Sequence, residues 1–159
     1  ASQFKMSAAP VRVAPGVTTT GEVTLETDFE SVDRVLLRED NGERVADDVL
    51  DDLSLVLETA EGLVVLLGCA HRGVINTVRR ACEVAGRNDV YAIIGGMHLS
   101  RASAEQVERT LQELRCMELR KLVPGHCTGA AALARMGPSF GEAVQVNRVG
   151  SVFEFGGGR

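Results

Sequence analysis

The three histidines of this 159-residue chain recur in one sequence context. Each of His71, His98 and His126 follows a short apolar run and at least one glycine, and each precedes a segment with helical spacing. A buried strand that stops at glycine can turn sharply, and the residues after it lie at the carboxyl edge of the sheet, where open α/β sheets bind ligands. Neutral imidazole is the commonest protein ligand for transition metals. The pattern therefore predicts a metal site supplied by three separate loops.

Other interpretations of these residues remain open. A single histidine near a strand end is usually a hydrogen-bonding residue with no catalytic role. A structural site of two cysteines and two histidines is a further alternative, although ligands one or two residues apart suit tetrahedral zinc poorly; its members would be Cys69, His71, His126 and Cys127. The other two cysteines, Cys82 and Cys116, fall on apolar faces of predicted helices, and we interpret them as core residues.

Composition favours a single cytoplasmic domain. The chain is 45% hydrophobic and 25% charged, which is ordinary for a globular protein. Its net charge of -5 predicts no general attraction to nucleic acid or to an anionic membrane. No apolar run approaches the roughly 20 residues needed to cross a bilayer, and the amino terminus lacks the plan of a signal peptide.

The first half of the chain reads as strands and loops. Alternating or β-branched runs predict strands over 11–13, 17–24 and 32–38, and Asn41-Gly42 is a strong turn signal. The acidic stretch 47–52 predicts a loop. A tight turn at 60–62 joins predicted strands 53–59 and 63–67 into a hairpin.

The second half alternates helix and strand. Helical spacing predicts a helix over 74–85, and Ser103 with Gln106 forms a capping box for a second helix that runs to Cys116. Thr128 can cap a third helix, which should stop at Gly137-Pro138. The remaining predicted strands are 91–94, 122–123, 144–146 and 151–155, and the ends 1–10 and 156–159 are expected to be frayed.

The strings around the histidines resemble one branch of the metallo-β-lactamase fold superfamily, the metal-dependent hydrolases often called dihydropterin ribofuranosyl-aminobenzene phosphate synthases. The resemblance rests on 62–77, 93–99 and 124–129 in this order, with further likeness at 15–22 and 51–55, and it runs from about residue 11 to 155. It implies a layered α/β fold, namely the carboxy-terminal half of an αββα sandwich with one or two metal ions at the edge between the sheets.

The resemblance also implies roles for the histidines. His71 corresponds to the ligand that completes the set of the first metal, and His126 to the last ligand of the second. His98 falls where many relatives place a bridging aspartate, so it would serve as a ligand or as a proton donor that faces the substrate. The implied cofactor is one or two divalent ions, zinc first, with iron or manganese as alternatives.

The main departure from the superfamily is the absence of its His-x-His-x-Asp-His loop from this sequence. In relatives that loop belongs to an amino-terminal half, so the resemblance implies that 1–159 is a single partial domain. The missing half would come from a longer protein, from a second chain, or by exchange within a homo-oligomer. Without it the water at the metal would be poorly placed, so we expect the chain alone to be a weak enzyme or inactive.

The resemblance implies hydrolysis of a phosphorylated small molecule, either a phosphate ester or a cyclic phosphate. Arg72, at the start of the first predicted helix, could hold the substrate phosphate together with free backbone N–H groups. The acidic loop 47–52 could orient water, although such runs are more often simply solvated. The alternatives are a non-catalytic binding or scaffold module of the same fold and a redox protein with iron at this site.

Overall fold

The computed structural model describes residues 6–156 and shows a mixed α/β fold. In chain order the elements are β1 (Arg12–Ala14), β2 (Val17–Thr19), β3 (Leu37–Asp40), β4 (Glu43–Ala46), β5 (Leu55–Glu58), β6 (Leu63–Leu66), α1 (Val74–Ala85), β7 (Val90–Gly96), α2 (Ala104–Cys116), β8 (Lys121–Gly125) and α3 (Ala130–Phe140). Short 3-10 turns follow β8 and α3, at His126–Thr128 and Gly141–Ala143. Six strands form one sheet in the order β1-β2-β5-β6-β7-β8, and β3 and β4 form a separate hairpin.

The direction of the last three strands decides where the histidines lie. The pairs β6–β7 and β7–β8 are parallel, whereas β1, β2, β5 and β6 pair in antiparallel fashion. Parallel neighbours end at the same edge of a sheet. Because His71, His98 and His126 follow β6, β7 and β8, the fold brings the three histidine-bearing turns to one edge.

One face of the sheet packs against the helices. Alternate strand residues such as Leu63, Ile93 and Leu122 have no exposed surface and join the apolar stripes of the helices in one core. The helices contribute Ile75, Val78, Leu111, Leu114 and Met136 to this core. Burial of this apolar surface is the main force that fixes the helices, and therefore the turns between strands and helices.

The opposite face is covered by the last described segment. Val64, Ala92, Ile94 and Val123 form a second buried cluster, and Phe153 and Phe155 pack against it. The predicted strands over 144–146 and 151–155 are wrong, since only a single bridge joins Val144 to Leu122. Their apolar alternation is satisfied instead by aromatic side chains that lie across the sheet face.

The helix predictions were largely confirmed. Helix α1 has the predicted bounds, and Ser103 Oγ accepts the N–H of Gln106 at 3.0 Å at the start of α2. The predicted cap at Thr128 is wrong, because its hydroxyl donates to the carbonyl of Gly125 at 2.7 Å within the intervening 3-10 turn. Helix α3 also continues through Pro138 to Phe140, because a proline removes only the bond of its own nitrogen and the last turn tolerates that loss.

The strands before β5 are shorter than predicted. Within the predicted range 17–24 only Val17–Thr19 forms a strand, and β3 (Leu37–Asp40) overlaps the predicted range 32–38 only at residues 37 and 38. The predicted turn at Asn41-Gly42 is present, with φ of 51° and 84° as a tight hairpin turn requires. Most of the predicted frayed ends, 1–5 and 157–159, lies outside the described residues. None of the helices within 6–156 is long and apolar enough to cross a membrane.

Candidate metal centre

Each of the three turns after the parallel strands contains a residue with left-handed backbone. The φ angles are 54° at Ala70, 44° at His98 and 49° at His126. Residues other than glycine rarely adopt this conformation, and where they do they cluster at active and ligand-binding sites. The strain lies at or beside each histidine, which marks this edge of the sheet as the candidate site.

The rings of His71 and His98 are in contact. Their centroids are 4.1 Å apart and their planes are inclined by 49°. Nδ1 of His71 and both ring nitrogens of His98 are buried and have no hydrogen-bond partner within 6–156. Burial, and then the neighbouring His71, lowers the pKa of His98, which favours the neutral form of this ring.

These unpartnered nitrogens fit a metal. A buried polar atom without a partner costs about 1–3 kcal/mol, so native structures usually supply a ligand, water or ion at such positions. Two imidazoles with unpartnered nitrogens at one strand edge are a suitable partial donor set for zinc, iron or manganese.

A second group of donor atoms lies at the same edge. One ligand atom each from Cys69, His126 and Cys127 can be chosen so that all three lie within 4.8 Å of one another. Three of the four residues in the alternative site of two cysteines and two histidines therefore lie together. The fourth, His71, packs against His98 instead. Burial, and then the neighbouring Cys127, raises the pKa of the Cys69 thiol to about 11.

Cys127 links the turns to one another. Its Sγ accepts the backbone N–H of His98 at 3.3 Å and donates to the carbonyl of Cys69 at 3.6 Å. The thiol therefore contacts both other histidine-bearing turns.

The start of α1 is closed by a residue that the sequence did not single out. The buried carboxylate of Glu30 accepts the N–H groups of Ile75 and Asn76, both at 2.9 Å. The amide oxygen of Asn76 in turn accepts the N–H groups of Glu26 and Thr27. Two of the backbone N–H groups expected to be free for a substrate phosphate at this helix end, those of Ile75 and Asn76, are therefore already occupied by a side chain distant in sequence.

Arg72 is buried between loops. Its guanidinium donates to the carbonyls of Val23 and Asp48, and its backbone N–H donates to the carboxylate of Asp52 at 3.3 Å. Asp52 is thus the member of the acidic loop that reaches the first histidine turn. The substrate role predicted for Arg72 and the water-orienting role predicted for this loop stay predictions.

A cavity of about 310 Å³ adjoins His98. The guanidinium of Arg101 forms an ion pair with Asp33 at 3.2 Å at its rim. The remaining lining residues include Ser31, Arg34 and Gln106. The cavity gives His98 an adjoining space whose walls carry two arginines and one carboxylate beside polar and apolar residues.

Two comparisons bear on this geometry. Over 156 residues, or 96% of the chain, the sequence is 34% identical to 7,8-dihydropterin-6-methyl-4-(β-D-ribofuranosyl)-aminobenzene-5'-phosphate synthase of Methanocaldococcus jannaschii. The fold matches the crystal structure of a metal-dependent hydrolase of the β-lactamase superfamily with a TM-score of 0.83 and 26% identity over 97% of this chain. The chain has the fold of the metallo-β-lactamase superfamily.

The chain spans about half the length of its relatives. The matches cover 53% of the synthase and 59% of the superfamily hydrolase. An uncharacterised protein of the same archaeon is 28% identical over 127 residues, which are 80% of this chain and 46% of that protein. No protein-family model matches the chain.

Proposed function

We propose that the chain is the carboxy-terminal half of a metal-dependent hydrolase and supplies part of its divalent-metal site. The observation that carries this proposal is the pair of contacting imidazoles with buried, unpartnered nitrogens at the carboxyl edge of β6 and β7. The left-handed backbone at the same turns and the similarity of fold to a metal-dependent hydrolase support it.

His71 and His98 would hold the first ion, and His126 would serve the second. Zinc suits these ligands, with iron and manganese as alternatives. A divalent ion bound there would polarise the phosphoryl or carbonyl oxygen under attack and make water a stronger nucleophile at neutral pH. The protein fixes the rings through the strand ends, and the contact of Cys127 with the His98 backbone holds the middle turn in place.

The substrate would be a small phosphorylated molecule, a phosphate ester or a cyclic phosphate. Arg34 and Arg101 line the cavity beside His98 and could attract its anionic group, since guanidinium binds phosphate in a charge-assisted geometry. A nitrogen of His98 that is not bound to metal could pass a proton to the leaving group from the same cavity. A phosphate also occurs in the name of the synthase that the chain resembles.

An amino-terminal half would complete the site. It would add the ligands that this sequence lacks, and it could lie on the same polypeptide, on a second chain or on a swapped copy of the protein. Three exposed leucines, Leu50, Leu53 and Leu66, with 38–49% of their surface accessible, lie in the loop before β5 and at the end of β6 and would suit such a contact. The chain alone would then bind metal but hydrolyse substrate weakly.

A metal titration followed by a hydrolysis assay tests the proposal. Zinc binding is measured by calorimetry on the wild-type chain, on His71→Ala and His98→Ala, and on Asn88→Ala, a control at the opposite end of β7. Each histidine variant should weaken at least tenfold the binding of one zinc ion per chain, the ion assigned to His71 and His98, and the control should bind as wild type does. Equal binding by all four proteins would contradict the proposed ligands.

Hydrolysis is then measured on bis(p-nitrophenyl) phosphate with the metal-loaded chain, alone and joined to its amino-terminal half. The joined protein should show metal-dependent turnover that His98→Ala lowers at least 100-fold. Metal binding without turnover in the joined protein would refute hydrolysis and favour the scaffold alternative. Reversible iron redox chemistry would favour the redox alternative.

A further inference from the structure

We propose that Cys69, Cys127 and His126 form a second, thiolate-containing set of zinc ligands, separate from the imidazole pair of His71 and His98. Its identification with the second metal position rests on the proposed function. The binding of zinc by two thiols and one imidazole does not depend on it.

The three donor atoms are already close to the spacing that zinc requires. They lie within 4.8 Å of one another. In a tetrahedral site with Zn–S of about 2.3 Å and Zn–N of about 2.0–2.1 Å, donor atoms are about 3.3–3.8 Å apart. Side-chain rotations that move each atom by about 1 Å or less would therefore bring the group into a coordination shell.

Gly96 makes the meeting of the two thiols possible. Cys69 follows β6 and Cys127 follows β8, so the end of β7 lies between them. A Cβ on Gly96 would lie 2.7 Å from the carbonyl oxygen of Gly68 and 2.8 Å from Sγ of Cys127, which is too close for both, and it would be in tight contact with Cα of Cys69 at 3.2 Å. Only a residue without a side chain at this position leaves room for the thiols to face each other across the middle strand.

The turn after β8 allows two residues adjacent in sequence to contribute ligands to the same site. His126 and Cys127 are neighbours in sequence, and such a pair suits one ion poorly in regular backbone. The left-handed φ of 49° at His126 and the 3-10 turn that follows allow both side chains to reach the same point. The imidazole is exposed and the thiols are partly buried, so an ion there would be reached from solvent and would keep an open position.

The donor types differ between the two sets and predict different ions. Two sulfur atoms and one nitrogen favour zinc and other thiophilic ions over manganese and magnesium, which prefer oxygen ligands. The imidazole pair at His71 and His98 carries no such preference. In this chain the second position would thus be the more selective of the two.

Cobalt(II) serves as the probe because thiolate ligands give it an intense near-ultraviolet charge-transfer absorption that imidazole and carboxylate do not. The reduced chain is titrated anaerobically with Co(II), followed by zinc. We expect the band to saturate at one thiolate-bound ion per chain and zinc to displace it. Cys69→Ser and Cys127→Ser should each reduce the band by at least half, and the double variant should abolish it.

Two matched controls use the remaining cysteines of the chain. Cys82→Ser and Cys116→Ser should leave the band unchanged, because Cys82 lies on α1 and Cys116 ends α2, away from the three turns. A band that persists in the double variant, or cobalt bound by the wild type without the band, would overturn the proposal. The band should also survive His71→Ala and His98→Ala, so failure of the proposed hydrolytic site and failure of the thiolate site give different results.

A protection assay covers the case in which a serine variant does not fold. Zinc added to the wild-type chain should protect two of its four thiols from Ellman's reagent, and peptide mapping should identify them as Cys69 and Cys127. Equal labelling with and without zinc would contradict the site.

Discussion

Replacement of Glu30 by glutamine should loosen the start of α1. The carboxylate accepts two backbone N–H groups, each at 2.9 Å, in a buried setting. A hydrogen bond to a charged group contributes about 1.5–3 kcal/mol, and a buried donor left without a partner costs about 1–3 kcal/mol. Glutamine keeps one acceptor and points an NH₂ group at the other amide, while it also removes a buried charge. The expected net loss in the free energy of unfolding is about 2 kcal/mol.

Urea denaturation followed by circular dichroism measures this loss. Asp28→Asn, in the same loop, is the matched control, since Asp28 forms an exposed ion pair with Arg109 that water screens, and the free energy should change little. A wild-type midpoint for Glu30→Gln, with an unchanged denaturant slope, would refute the role of Glu30 as the cap of α1. So would an equal loss in the control.

Three further predictions concern the site and the opposite sheet face. Gly96→Ala should weaken the cobalt charge-transfer band at least tenfold at limiting metal, because its Cβ would lie 2.8 Å from Sγ of Cys127 and 2.7 Å from the carbonyl oxygen of Gly68. Gly137→Ala, with no atom within 4 Å of the added Cβ, should leave the band unchanged, and equal bands in the two variants would contradict the packing argument. At pH 8, iodoacetamide should alkylate Cys69 about 100-fold more slowly in the metal-free native chain than in urea, because burial raises the pKa of this thiol from 9.0 to about 11 and depletes the thiolate. The native rate should rise with pH until the pH exceeds about 11. Equal rates in the native and urea-unfolded chains, measured by mass spectrometry, would contradict this prediction. Phe155→Ala should lower the free energy of unfolding by about 1–3 kcal/mol and increase binding of the dye ANS, since the ring packs on Tyr91 and on the second buried cluster of the sheet. An unchanged unfolding midpoint would show that the last described segment does not cover the sheet face opposite the helices.

Features that depend on local sequence could be predicted. The period of apolar residues and the glycine at its end give the bounds of α1, and the Ser103 cap depends on residues three positions apart. The placement of each histidine just after a strand also follows from local pattern. The common edge follows once the strands are parallel, which short connections through helices favour.

Features that depend on contacts between distant segments could not. Glu30 lies 46 residues before Asn76, whose backbone N–H it accepts, and no local sequence pattern indicates that contact. The close approach of Cys69 and Cys127 depends on the strand order β6-β7-β8 and on the absence of a side chain at Gly96. The alternation in 151–155 indicates an apolar face but cannot distinguish a strand at the sheet edge from a segment that lies across the sheet.

Anomalous diffraction from crystals of the zinc-loaded chain tests the central claim most directly. Data collected on both sides of the zinc absorption edge should place an ion about 2.0–2.1 Å from a ring nitrogen of His71 and of His98, at the carboxyl edge of β6 and β7. Zinc located elsewhere, with both rings hydrogen-bonded to backbone or water instead, would contradict the account.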